Sequence, residues 1–256
     1  MAEFRWRLDA AWNGAAYCGW QRQPNRLSIQ EAIEGVCEQL FNQPIRVVAA
    51  GRTDAGVHVA HQVLGMTTLK SMDSRALKRG LNALLPVDIS ILDAKIMPHH
   101  FQPRGWGTKK WYRYRWLLRE ANCPFRRPYV WHVPRSVNTS AMSEAARFFC
   151  GTHEFSAFRA SGCSAATTHR TIEECQFHSI GNDEWGLDVF GNGFLRHQVR
   201  IMAGTLLEVG VGRFEPESIA KMLKSGQRSS AGQTAPAQGL TLMQSYVRAE
   251  GEETSP

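Results

Sequence analysis

Between residues 4 and 96 the hydrophobic period of the chain switches from two to 3.6 and back twice, and the order of those switches narrows the fold more than any other feature. Phe4, Trp6 and Leu8 alternate with Arg5, Arg7 and Asp9, the period-two pattern of a half-buried strand. Ser28 and Glu31 then form a Ser-x-x-Glu capping box. Behind it Ile29, Ala32, Ile33, Val36, Cys37, Leu40 and Phe41 recur at helical spacing until Pro44 forbids continuation. Val47 to Ala50 reads as a short buried strand and Gln62 to Leu69 as a longer one. Ser74 opens a helix carrying Leu77, Leu81, Leu84 and Leu85 that Pro86 ends, and residues 87–96 supply a strand with Ile89, Ile91 and Ile96. The order β-α-β-β-α-β is that of a ferredoxin-like split unit, an antiparallel sheet with both helices on one face.

The second half repeats that order without visibly repeating the sequence. Lys109 to Leu118 is a strand, and Thr139 caps a helix bearing Met142, Ala145, Ala146 and Phe149 that stops at Gly151. Residues 171–180 and 184–190 pair around the turn Gly181-Asn182-Asp183. A long helix begins near Phe194, and residues 240–247 give a last strand. The expected fold is therefore α+β: two ferredoxin-like βαββαβ halves, their sheets joined into a mixed, mainly antiparallel sheet with a cleft between the halves. Residues 1–105 form the expected N-terminal domain and residues 106–256 the C-terminal one, with Pro98 to Gly107, which holds two prolines and two glycines, as the hinge.

Three stretches carry candidate chemistry. In Gly51-Arg-Thr-Asp-Ala-Gly-Val-His58 a strand empties into a loop bracketed by glycines, with Arg52, Asp54 and His58 close together. Such a loop can mount a reactive side chain, because glycine permits tight backbone geometry while the strand fixes the loop; it reads equally as a plain turn capped by Asp54. In Lys109-Lys-Trp-Tyr-Arg-Tyr-Arg-Trp116, strand alternation puts Tyr112, Tyr114 and Trp116 on one face and Arg113 and Arg115 on the other. That interleaving suits stacking on unpaired bases and contact with phosphates, and it also suits a core-facing aromatic strand with solvated arginines. Arg196 and Arg200 lie four apart on the expected helix, beside the stripe Leu195, Val199, Met202 and Leu206. An arginine beside a core stripe is buried at a cost unless a carboxylate pairs with it, and Asp54 supplies one if the halves face each other; without that pairing both arginines read as surface residues.

Charge and spacing exclude other classes. A formal charge of +7 favours a polyanionic partner, nucleic acid first. The six cysteines form no Cys-x-x-Cys pair and are spaced too widely for a zinc knuckle or a small disulfide scaffold. His58 and His61, with Asp54 nearby, could ligate an ion only on a helix, whereas the surrounding pattern is strand and loop, so the reading is no metal. No complete phosphate-binding glycine motif occurs, which favours a reaction without redox or phosphoryl transfer and without a cofactor. No apolar h-region and no run of eighteen apolar residues is present, and the chain reads as a cytoplasmic protein with no membrane partner.

The loop Gly51 to His58 resembles the signature of the tRNA pseudouridine synthase A (TruA) family. Gly19-Trp-Gln-Arg-Gln23 resembles that family's Gly-Trp-Gln segment, and Leu81-Asn-Ala-Leu-Leu-Pro-Val-Asp88 its Asn-x-x-Leu-Pro-x-Asp stretch. Tyr112-Arg-Tyr114, Phe194 to Gly204 and Thr234-Ala-Pro-Ala237 resemble its later elements, all in family order. The resemblance implies a tRNA pseudouridine synthase acting on positions 38, 39 and 40 of the anticodon stem-loop as a homodimer without a cofactor. It implies Asp54 as the catalytic aspartate, Arg200 as its partner, Arg52 as the residue that helps displace the base, and Tyr112 as the ring stacked on the flipped uracil. His58 and Gln21, within the matched segments, are further candidates for substrate binding. Val59 and His61 depart from the family's usual Ala and Gly, and Pro103 to Trp111 departs from its Ala-Arg-x-Ser-Ala pattern.

Overall fold

Strand β1 (Phe4–Trp12) buries Trp6, Leu8 and Ala10 on one face and turns Arg5, Arg7 and Asp9 to the other, as period two requires. The computed structural model describes residues 3–248 and divides into two units, Met1–Lys109 with Leu242–Pro256, and Lys110–Thr241.

In the first unit β1 is followed by α1 (Ile29–Phe41), β2 (Val48–Ala49), β3 (His58–Thr68), α2 (Ser74–Leu84) and β4 (Ile89–Met97). The strands lie in the order β4, β1, β3, β2, antiparallel throughout, which is the ferredoxin-like arrangement expected from sequence. The Ser28 hydroxyl accepts from the Glu31 N–H at 3.2 Å and caps α1, whose Ile29, Ile33, Val36, Cys37 and Phe41 are buried. Asp73 caps α2 through the Ala76 N–H, and both polar ends of the Asn82 amide bond Ile91 of β4 at 2.7 and 2.9 Å. Each fully buried large apolar side chain of this layer contributes about 1.5–3 kcal/mol.

Residues 98–107, expected as a hinge, are instead packed. Phe101 and Trp106 meet edge to face at 5.2 Å and join Ala50 and Val63 in a small buried cluster. Pro103 sits on Gly65 of β3, where any Cβ would fall 2.7 Å from the proline Cγ. The signal that misleads is composition: prolines and glycines mark loops, while two aromatic side chains decide whether a loop is fixed.

The second unit holds β5 (Gly107–Leu118, from Lys110 on), β6 (Trp131–Val133), α3 (Thr139–Arg147), β7 (Gly151–Glu154), β8 (His169–Gly181), β9 (Glu184–Gly191), α4 (Gln198–Gly210) and α5 (Ser218–Ser225). The chain closes with β10 (Leu240–Val247), whose residues from Leu242 return to the first unit beside β3. β5, β9 and β8 lie side by side and antiparallel, so the first, third and second strands adjoin as they do in the first unit; β7 extends the sheet beyond β8, and β6 lies parallel to β5. The β8–β9 turn places Asn182 and Asp183 both at positive φ, 51° and 62°, as a two-residue hairpin loop of matching twist demands.

Three local readings are corrected. Asn138, not Thr139, caps α3, its side chain accepting from the Ala141 N–H at 3.0 Å. The last helix begins at Gln198 rather than near Phe194, because His197 adopts a left-handed conformation, φ 61°, and starts it from a turn. Arg196 therefore precedes the helix and bonds the Ser161 carbonyl at 3.3 Å, so it does not share a helical face with Arg200.

Candidate active site

Arg52, Asp54, His58 and Gln21 belong to the first unit, and Tyr112 and Arg200 to the second.

The loop from Gly51 to Val57 leaves a fixed strand and re-enters another. The Ala50 N–H bonds the Val63 carbonyl at 2.9 Å, and the buried Gln62 amide donates to the Gly51 carbonyl at 2.8 Å. Within it the Val57 N–H reaches the Asp54 carbonyl at 3.2 Å, and Gly56 takes φ 77°, a conformation that strains other residues. Arg52 is exposed and Asp54 half-buried, so one side chain can reach a substrate while the other is partly sheltered. His58 is the first residue of β3 and is buried, and its Nδ1 accepts from the Gly14 N–H at 3.3 Å. His61, three residues on, faces the opposite side of the strand, with Nε2 3.4 Å from an Asp9 oxygen.

A second segment, residues 13–20, lies against this loop. The Trp20 N–H donates to the Thr53 carbonyl at 3.1 Å and the Gly56 N–H to the Tyr17 carbonyl at 3.4 Å. A Cβ at Gly14 would overlap the Val57 carbonyl, and one at Gly19 would lie 2.7 Å from the Thr53 oxygen and 3.0 Å from the Asp54 carbonyl carbon. Trp12 and Trp20 stack at 5.7 Å behind it, and Gln21 follows exposed. Tyr17 is buried, with its hydroxyl donating to an Asp88 oxygen at 2.6 Å; burial, then that carboxylate, raise the phenol above its ordinary range. The sequence offered no period from which to read these supports, since they are loop residues whose role is set by the opposite loop.

On β5 the expected alternation holds, but its aromatic face is the core face. Tyr114 and Trp116 are fully buried, 4.7 Å apart edge to face, and the Tyr114 hydroxyl donates to the Pro236 carbonyl at 2.9 Å. Neither ring can stack on a base. Tyr112 retains 8% exposure and stands edge-on to Phe194 at 5.0 Å. The other face is a polar network: Arg113 forms a bidentate pair with Asp188, both bonds 2.8 Å, and Trp111 donates to the same carboxylate at 2.7 Å. That bonding raises the Arg113 pKa above its ordinary value.

Arg200 is the one half-buried residue of α4, whose other twelve residues are all buried. Its Nε donates to the Ala235 carbonyl at 2.8 Å, and the Ala235 N–H returns a bond to the Arg200 carbonyl at 3.0 Å. The segment 232–235 is able to reach the helix because Gly204 and Gly232 carry no side chain there: a Cβ on Gly204 would overlap the Gln233 carbonyl, and one on Gly232 would lie 2.8 Å from the Thr205 Cα. Arg228 braces the same segment, donating to the Gly232 carbonyl at 2.9 Å and the Thr234 hydroxyl at 3.3 Å. Arg228 escaped the sequence reading because one arginine in a polar stretch has no periodicity to set it apart.

Among the described residues no group of three or more His, Cys, Asp or Glu side chains could hold a metal ion, and no helix is long and apolar enough to cross a membrane.

The family model described as tRNA pseudouridine synthase matches residues 10–104 and 145–246, a span that contains the Asp54 loop, α4 and the Ala235 segment. Relatives from Pelobacter propionicus, Geotalea daltonii and Geobacter sulfurreducens, each named tRNA pseudouridine synthase A, are 44%, 43% and 45% identical to it. Those similarities cover 93%, 94% and 92% of this chain and 97%, 98% and 96% of the relatives. Among solved structures, a Cbf5-Nop10-Gar1 complex aligns with 92% of this chain and 57% of that chain at 13% identity and a TM-score of 0.34, which adds nothing to the sequence relatives. Matched by that model over most of its length and by those relatives over nearly all of it, the chain belongs to the tRNA pseudouridine synthase A family.

Proposed function

We propose that this isomerase converts uridine to pseudouridine in the anticodon stem-loop of tRNA, at positions 38, 39 and 40, with Asp54 as the catalytic carboxylate. The reaction breaks the C1′–N1 bond, turns the uracil and forms a C1′–C5 bond; the proton lost from C5 is balanced by one gained at N1, so the composition is unchanged. Uracil leaves as a delocalised anion, which is why the chemistry calls for neither metal nor cofactor. Asp54 either attacks C1′ and is released when C5 replaces it, or takes a proton from the sugar. Arg200 serves as its partner and orients the carboxylate. Extrusion of the target base costs a few kcal/mol, which Arg52 offsets by filling the space the base vacates and Tyr112 by stacking on the uracil, its hydroxyl also acting catalytically in proton transfer from C5. His58 and Gln21 complete the substrate contacts. The enzyme works in the cytoplasm as a homodimer.

The observation that carries this reading is the Asp54 loop itself: a half-buried carboxylate beside an exposed arginine, on a turn hydrogen-bonded at both ends, in a chain of this family. The test uses tRNA tritiated at C5 of uridine, since isomerisation releases that tritium. Asp54→Asn is expected to lower the release rate by roughly 1,000-fold or more while tRNA still binds. A variant of normal rate would exclude the role of Asp54. Sequencing for pseudouridine in the product tRNA locates the positions, and modification confined to sites outside 38–40 would exclude the proposed substrate.

A further inference from the structure

We infer that Tyr17 and Asp88 form a clamp that positions the Asp54 loop, an inference that rests on the catalytic reading of Asp54. The two residues are 71 apart in sequence and neither lies in the loop, yet the bonds around them lead into it. The Tyr17 hydroxyl donates to Asp88 Oδ1 at 2.6 Å, and the Asp88 carbonyl accepts from the Asn13 N–H at 2.9 Å, so Asp88 grips the residue 13–20 segment at two points. Asp88 is itself fixed by its place beside β4: the turn is closed by the Ile89 N–H on the Pro86 carbonyl at 2.9 Å, and Ile89 then pairs with Trp12 of β1.

From Tyr17 the restraint passes to the loop by main-chain bonds. The Tyr17 carbonyl accepts from the Gly56 N–H, two residues after Asp54, and the Thr53 carbonyl, one residue before it, accepts from Trp20. Asp54 is therefore bracketed by two hydrogen bonds to a single segment. That segment fits only because Gly14 and Gly19 present bare backbone; Gly19 also has φ 99°, which other residues rarely adopt. A hydroxyl-to-carboxylate bond is a strong, directional tie, and here it fixes the register of one loop against the other without touching the carboxylate that reacts.

The Tyr17 ring is buried, but the bond its hydroxyl makes is a positioning device rather than a core contact. The strand ladder β4-β1-β3 and the buried stripes of α1 and α2 do not pass through the Tyr17 hydroxyl, so its removal leaves them in place. What it releases is the loop, and a shift of about 1 Å in a reacting group costs on the order of 10–100-fold in rate.

The experiment measures kcat, KM, tRNA affinity and Tm on the full chain for Tyr17→Phe, Asp88→Ala, Asp88→Asn, the double variant Tyr17→Phe/Asp88→Ala, and Asp54→Asn. The expected result for Tyr17→Phe and Asp88→Ala is a fall in kcat of about 10–100-fold with KM and tRNA affinity changed by less than about threefold. The double variant should be no slower than the worse single one, because both remove the same bond. Asp88→Asn, which keeps an acceptor oxygen, should recover most of the rate. Wild-type kcat in both Tyr17→Phe and Asp88→Ala, with Asp54→Asn inactive, overturns the clamp and leaves the catalytic reading standing. Losses that follow Tm, that appear in KM or affinity instead of kcat, or that multiply in the double variant also overturn it. Normal turnover by Asp54→Asn would remove the catalytic reading instead, whatever the clamp variants do.

Discussion

Replacing Gly204 with alanine sets helix propensity against packing, and the structure says which prevails. Alanine inside a helix is favoured over glycine by about 1 kcal/mol, so propensity alone predicts stabilisation. The new Cβ, however, would overlap the Gln233 carbonyl and lie 2.9 Å from its carbon, and both are backbone atoms that no rotamer change can move aside. Overpacking of this kind costs about 1–3 kcal/mol. Moving residues 232–235 away also stretches three hydrogen bonds: Ala235 N–H to the Arg200 carbonyl, Arg200 Nε to the Ala235 carbonyl and Gly232 N–H to the Thr205 hydroxyl, at 3.0, 2.8 and 3.0 Å. Each contributes about 1 kcal/mol. The expected net destabilisation is about 2–5 kcal/mol, which for a chain of this size lowers Tm by about 5–15 °C. Gly35→Ala is the matched control, because that residue is exposed in α1 and its Cβ would meet nothing within 4 Å. It should raise stability by about 0.5–1 kcal/mol. Thermal melts followed by circular dichroism compare the two variants. An unchanged or raised Tm in Gly204→Ala would refute the packing argument.

Further outcomes follow from other contacts. Ser28→Ala removes the cap of α1 and should cost about 1 kcal/mol in denaturant melts, with the slope unchanged. Asp188→Ala strands Arg113 and the Trp111 indole on a largely buried face, and a loss of about 2–4 kcal/mol is expected; a loss below 0.5 kcal/mol would show that water replaces the carboxylate freely. Burial works against the charge of Asp9, but hydrogen bonds from His61 and Arg7 outweigh it and hold the carboxyl below its ordinary value. Its contribution to stability is therefore complete above an unfolded value near 3.9 and is lost as pH falls through the lower folded value. Urea melts of the wild type and Asp9→Asn across pH 2 to 6 should converge at the acid end, and parallel curves would contradict that sign.

Elements with a clean period were legible in the sequence: the capped α1, the alternating β1 and β5, and the hairpin turn at Asn182-Asp183. What periodicity cannot say is which side of an alternating strand is the core. On β5 the aromatic face looked suited to bases, yet Tyr114 and Trp116 fill the interior while the arginine face carries the carboxylates. Short elements were missed for a different reason. The four residues of β7 and the eight of α5 are too few to establish a repeat, and their partners are distant in sequence. The start of α4 was misplaced because a left-handed His197 has no signature in residue type. Around the candidate site the sequence marked Asp54, Arg200 and Asp88 by motif, but neither the Tyr17–Asp88 bond nor the part played by Arg228, because those contacts run between loops.

Arg200 is met by the main-chain oxygen of Ala235, and this shapes how the contact can be probed. Side-chain truncation at position 235 leaves the acceptor in place, so a conventional scanning library would pass over it and assign it no importance. Drift in residue identity there is limited by volume alone, since Ala235 has no exposed surface. From the acceptor's side, interrupting the contact takes a change in the path of the backbone, by insertion, deletion or a bulkier neighbour at Gly204 or Gly232.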